Sequence, residues 1–209
     1  MPVIGFLHTA DQHVSTFRAL LAEIAPAVSD RHVVDGSLLD NARAGLPYTE
    51  DLRDRLDELA EADVIVCTCS TIGGEAERVD PSVLRVDRAL AAAVVGYARV
   101  GVVTALESTR QPTGLLLAEQ AAAACVTPTF IDAPCFDSWE HLETGDLSSY
   151  HRAIADHVLS ITADVDVVML AQASMAPAIE LLGDLSVPVL ASPRLGVLGA
   201  LERLGEPNA

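Results

Sequence analysis

Apolar positions along this chain fall in short runs, separated by stretches whose apolar residues recur at helical spacing. Val3–Leu7, Arg31–Val34 and Val64–Thr68 have the length and β-branching of buried strands. Thr16–Ala25 and Thr49–Ala60 lie between them as amphipathic helices, the second with Thr49 as a candidate N-cap. Val83–Gly96 reads as mostly helical. The order then restarts with a strand at Val100–Thr104, a helix at Thr113–Ala124 and a strand at Thr129–Asp132. A helix at Leu147–Ile161, a strand at Val165–Leu170, a short helix at Ala176–Leu182, a strand at Val187–Ala191 and a helix at Leu195–Leu204 complete the pattern. Strands this apolar, alternating with helices, predict an α/β fold with parallel sheets covered on both faces.

Three segments of the first half echo in the second, in the same order. V-I-G-F-L-H at Val3–His8 matches R-V-G-V-V-T at Arg99–Thr104, and H-V-V-D at His32–Asp35 matches T-F-I-D at Thr129–Asp132. D-V-I-V-C-T-C-S-T at Asp63–Thr71 matches D-V-V-M-L-A-Q-A-S at Asp166–Ser174. The echoes predict two pseudo-symmetric, doubly wound, flavodoxin-like domains with an interdomain cleft: residues 1–98, completed by the C-terminal helix 193–209, and residues 99–192. Ligands of parallel α/β sheets sit beyond the carboxyl ends of the strands. That rule selects His8, Thr9, Asp35, Cys69, Ser70 and Thr71 from the first half. From the second it selects Thr104, Ser108, Thr109, Gln172, Ala173 and Ser174.

Composition narrows the function classes. A net charge of −17 over 209 residues argues against nucleic acid and against anionic membranes as partners. The N-terminus lacks a basic, apolar leader, and the longest apolar stretch, Ala89–Tyr97, is too short to span a bilayer. A cytoplasmic location is the expectation. Cys67, Cys69, Cys125 and Cys135 show no C-x-x-C spacing, so reduced thiols and no metal site are expected. Cys67, inside its strand, and Cys125, after an alanine-rich helix, read as packing residues. Cys69 is either a small buried hydrophobe or a reactive thiol at a strand end. His8 is either a core or capping histidine or an acid, base or carboxylate partner. His13, His32, His141, His151 and His157 read as surface residues. Glu107 is either a solvated loop carboxylate or a general base, and Ile72–Gly74 reads as a tight turn. Arg85, Arg88 and Arg110 are the cations placed to pair with a carboxylate.

C-S-T at Cys69–Thr71, after the strand D-V-I-V-C-T, resembles the C-N-T signature of the aspartate/glutamate racemase superfamily. G-V-V-T-A-L-E-S-T at Gly101–Thr109 resembles that family's second-domain opening. L-A-Q-A-S-M at Leu170–Met175 resembles its second signature in frame and apolar flanks. The resemblance implies cofactor-independent chemistry at a carbon next to a carboxylate, with one thiol from each half as acid and base. On that pattern Cys69 is a catalytic thiol, and Ser70, Thr71, Thr104, Ser108, Thr109, Ala173 and Ser174 hold substrate oxygens. His8 stands beside them as an acid–base candidate. Gln172 occupies the place of the second cysteine, and an amide neither takes nor gives a proton at neutral pH. The expected partner is a small carboxylate, with a homo-oligomer left open. Decarboxylation or cis–trans isomerisation by one thiol, or carboxylate binding without catalysis, are the alternatives. Cys135 is a further thiol near the same sheet edge.

Overall fold

The computed structural model describes residues 1–205. The chain divides into two compact units, Met1–Ala89 with the segment from Pro193 onward, and Leu90–Ser192. The division lies ahead of the residue-98 position expected from the strand restart. Of the expected 193–209 segment, residues 206–209 lie outside the described residues.

The first unit holds a four-stranded parallel sheet in the order β2-β1-β3-β4, from β1 (Val3–His8), β2 (Ser29–Val34), β3 (Val64–Cys67) and β4 (Leu84–Arg85). The helices are α1 (Gln12–Ile24), α2 (Ser37–Ala44), α3 (Thr49–Asp57), α4 (Gly73–Val79) and the start of α5 (Arg88–Val94). Alternation along β1 sends Phe6 and His8 to the face that carries Phe17 of α1. Leu7 goes to the opposite face, with Leu38, Leu52, Leu56, Ile65 and Ile72. Burying each such leucine contributes roughly 1.5–3 kcal/mol.

The second unit repeats the plan in the order β6-β5-β7-β8, all parallel, from β5 (Arg99–Thr104), β6 (Thr129–Pro134), β7 (Val167–Leu170) and β8 (Val189–Ala191). Its helices are α6 (Glu107–Ala123), α7 (Trp139–Glu143) and α8 (Leu147–Ile161). Asp146 caps α8, its carboxylate accepting the Ser149 N–H at 3.0 Å. Tyr150, Ile154 and Val158 of α8 share a buried cluster with Val103, Val168 and Leu170 of the sheet. The last helix, α9 (Ser192–Gly205), lies almost wholly in the first unit. It approaches so closely that a Cβ on Gly196 would stand 2.6 Å from the Val86 side chain and 2.9 Å from its carbonyl oxygen.

Four local expectations are corrected. Val83–Gly96 contains the short strand β4 before α5, because a two-residue strand with one arginine carries no apolar run. The segment expected as a helix at Ala176–Leu182 is a 3-10 helix over Ala173–Leu181, with Pro177 inside it. Ile72–Gly74 is no isolated turn, since Gly73 and Gly74 open α4. Thr49 is the first residue of α3 rather than its cap, and its hydroxyl donates to Glu75 at 2.6 Å.

Candidate functional site

The repeated segments share their backbone bonding. Asp63 accepts the Val3 N–H at 2.8 Å, and Asp166 accepts the Arg99 N–H at 2.9 Å. Thr68 N–H donates to the Leu7 carbonyl at 2.9 Å, as Ala171 N–H does to that of Val103 at 3.0 Å. Leu7 pairs with Cys67 in one sheet and Val103 with Leu170 in the other. Two residues further on stand Cys69 and Gln172, so these occupy equivalent positions beyond equivalent strands. The middle echo is corrected. Val3 pairs with Ser29 and Arg99 with Thr129, which makes Cys135, not Asp132, the counterpart of Asp35. Asp35 and Cys135 N–H groups accordingly donate to the carbonyls of His8 and Thr104, at 2.9 and 2.7 Å.

Cys69 is half-buried in the loop between β3 and α4, and it packs on the cluster containing Leu52 and Ile72. Its carbonyl accepts the Gly73 N–H at 2.9 Å, which ties the loop to the first turn of α4. Below the loop lies the buried guanidinium of Arg85. It donates twice to Asp87, at 2.9 Å each, and once to the Ser70 carbonyl at 3.5 Å. A Cβ on Gly73 would stand 3.0 Å from Arg85 Cγ and 3.1 Å from Nε. Glycine at this position therefore lets the arginine pass under the loop. Ser70 is buried and Thr71 half-buried. Cys67 is buried in the strand, where the loss of solvent pushes its thiol far above the ordinary range.

His8, at the end of β1, is fully buried and uses both ring nitrogens. Nδ1 meets the Thr68 hydroxyl at 2.8 Å and Nε2 meets His32 Nδ1 at 2.8 Å. His32 Nε2 in turn meets Asp30 at 2.6 Å, and Arg18 donates to the same carboxylate at 2.7 Å. Burial, then the neighbouring His32 and His13, depress His8 to about 3, and burial depresses His13 to about 4. Burial also lowers His32, opposed by its bond to Asp30. At Asp30 burial acts to raise the carboxyl, but the hydrogen bonds from Arg18 and His32 outweigh it. The surface reading of His13 and His32 is corrected, since the His32 side chain is 5% exposed and the His13 ring packs against Phe17 and His8. Nothing in the sequence pattern of this polar strand signalled that two histidines would meet beneath α1.

In the second unit Gln172 is buried, and its Oε1 accepts the Ala105 N–H at 2.6 Å. That donor fixes which end of the amide is oxygen, clamps the β5–α6 loop and leaves the NH₂ group to donate. Thr104 Oγ1 and Ser108 Oγ, from the same loop region, are buried without a protein hydrogen-bond partner. Thr109 is fully buried in the first turn of α6. Ala173 begins the 3-10 helix, and the Ser174 hydroxyl bonds to Tyr150 at 2.9 Å. Thr104 also lines a cavity of about 420 Å³ with Glu107, Arg110 and Asp132. A larger one, about 470 Å³, lies at the amino ends of the first unit's strands beside Asp63 and Val64, away from Cys69.

The remaining candidates have partners within their own unit. Arg88 bonds twice to Glu77, at 2.8 and 2.6 Å. Arg110 bridges Glu107 and Asp132. Cys135 is half-buried, with its thiol 3.9 Å from the Ala153 carbonyl and pushed up by burial. Cys125, expected to pack, is exposed at a positive φ of 55° after α6. Among the described residues no cluster of metal-ligating side chains forms, and no helix is long and apolar enough to cross a membrane.

No protein-family model matches the sequence, and no curated protein does. Solved structures do match its fold. An aspartate racemase from Picrophilus torridus superposes with a TM-score of 0.74 at 15% identity, covering 100% of this chain and 96% of that one. A glutamate racemase from Francisella tularensis in complex with D-glutamate gives 0.69 at 15% identity, covering 98% and 81%. A mutant of arylmalonate decarboxylase gives 0.57 at 16% identity, covering 99% and 95%.

Proposed function

We propose that this chain, which carries the fold of the aspartate/glutamate racemase superfamily, is a cofactor-independent, racemase-like enzyme that keeps one half of the two-base proton exchange. It acts at the carbon α to a carboxylate in a small acid, with Cys69 as the proton-transfer group. The observation that carries the reading is the strand-end equivalence of Cys69 and Gln172. A duplicated scaffold presents a thiol at one strand end and an amide at the other. A thiolate at Cys69 removes the α-proton, the substrate's carboxylate takes up the electron pair as an enediolate, and the thiol returns a proton to the carbon. Ser70, Thr71, Thr109, Ala173 and Ser174, with the partnerless hydroxyls of Thr104 and Ser108, are the donors assigned to substrate oxygen. Gln172 contributes its NH₂ as a hydrogen-bond donor. His8, with both nitrogens engaged, holds the strand end instead of touching substrate.

One thiol returns its proton to the face from which it took it. The proposal therefore predicts exchange of the α-proton with solvent and little inversion. A second reading, decarboxylation followed by protonation from Cys69, is favoured by the likeness to arylmalonate decarboxylase and by an amide where a second base would stand. Incubating amino acids, hydantoins and arylmalonates in heavy water separates the readings. Deuterium at the α-carbon with retained configuration and no CO₂ supports one-thiol proton transfer, the half-reaction proposed here, and deuterium with CO₂ release supports decarboxylation. Saturable binding with neither leaves a carboxylate-binding protein and contradicts both.

A further inference from the structure

The contacts of His8 form a chain across three strands. Thr68 follows β3, His8 ends β1, and His32 and Asp30 lie on β2, with α1 above them. Proton accounting allows two complete patterns. An ionised Asp30 only accepts, so His32 Nε2 is protonated. If His32 is neutral, its Nδ1 accepts and His8 Nε2–H donates to it. A neutral His8 then accepts at Nδ1, and the Thr68 hydroxyl must donate there. Adding one proton gives the other pattern. His8 Nδ1–H donates to Thr68 Oγ1, and the hydroxyl turns to the Leu7 carbonyl, 3.0 Å away. That carbonyl already receives the Thr68 N–H, so neither pattern leaves it bare. The two patterns differ by one proton and by the direction of the Thr68 hydroxyl, one residue before Cys69.

We propose that Thr68, His8, His32 and Asp30 form a one-way hydrogen-bond relay whose neutral pattern, donating from Thr68 toward Asp30, positions the strand end that carries the Cys69 thiol. The link to catalysis rests on the reading of Cys69 given above, but the relay itself does not. The other groups facing it are His13 and Arg18 of α1. His13 approaches His8 at 6.2 Å between ring centroids, and Arg18 anchors Asp30. The Arg18 cation opposes an added positive charge, and burial depresses His8, His13 and His32 in the same direction. The carboxylate of Asp35, at the end of β2, is directed to Ser37 instead.

The test begins with nitrogen-15 spectra of histidine-labelled protein at neutral pH, which need no mutation. Both His8 and His32 are expected as neutral Nε2–H tautomers, each with a hydrogen-bonded Nδ1. A His8 Nδ1–H tautomer overturns the relay's direction. The second arm is the rate of Cys69 alkylation by iodoacetamide, resolved by site with mass spectrometry. Thr68→Val is expected to change it about three- to tenfold, on the scale of one hydrogen bond, and His32→Leu to do the same. Thr68→Ser and His32→Asn, which keep a hydroxyl and an acceptor in place, are expected to restore it. Unchanged alkylation in Thr68→Val and His32→Leu, in folded protein, refutes the positioning role. Turnover that survives Cys69→Ala sinks the catalytic reading and leaves the relay's spectra intact.

Discussion

At the residue scale a few side chains have neighbours that leave them little choice. Asp87 is fully buried and holds the Arg85 guanidinium beneath the Cys69 loop. Asp87→Ala removes the bidentate carboxylate partner of that buried cation, and a loss of about 3–5 kcal/mol is expected in urea unfolding. Gly73→Ala drives a methyl into the same side chain and is expected to cost about 1–3 kcal/mol, with slower proton exchange because the loop shifts. Cys69→Ala removes only a half-buried thiol, so stability should fall by about 1 kcal/mol or less while α-proton exchange disappears. The place of Cys69 beyond a strand end was legible, because it follows an apolar run. Arg85 did not show its role, since a buried arginine looks like any other until its partner two residues on is seen to share its cavity.

Among the elements, β1 and α1 are coupled through histidines that burial keeps neutral. In the unfolded chain each takes up a proton near pH 6.5. In the fold His8 does so only near 3 and His13 near 4. The unfolded state therefore binds more protons at mildly acidic pH. Stability should be complete above about pH 6.5 and decline below it, by at most about 1.4 kcal/mol per pH unit for each group. Urea midpoints between pH 7 and 5 check this, and His13→Gln should reduce the slope by roughly a third to a half, since His8 and His32 still contribute with the same sign. A flat profile contradicts the buried, neutral assignment. The central strands β1, β3, β5 and β7 were readable because buried parallel strands are continuous apolar runs, whereas the two-residue β4 was not. The short α2, α4 and α7 were not, since a helix of one or two turns offers too few positions for a period. The helix expected over Thr113–Ala124 runs from Glu107, with Pro112 inside it. A proline in the second turn forfeits one bond, to the Ser108 carbonyl, and packing outweighs that loss.

Across the whole molecule the chain uses one plan twice, strand order included, and changes the chemistry at one position of the plan. The first and third echoes survive in the sheet registers because each is anchored by the same aspartate-to-backbone bond. The middle echo slipped by three residues because edge strands of mixed polarity carry no anchor of that kind. Gln172 is bound into its loop through Oε1, so replacing it with cysteine leaves the buried Ala105 N–H without its acceptor and costs about 1–3 kcal/mol, which a folded domain tolerates. The most direct measurement is the stereochemistry of α-proton exchange in heavy water by Gln172→Cys beside the parent protein. Exchange with retention is expected in the parent and exchange with inversion in the variant. Inversion by the parent, or exchange by the folded variant still confined to one face, would contradict the one-thiol reading.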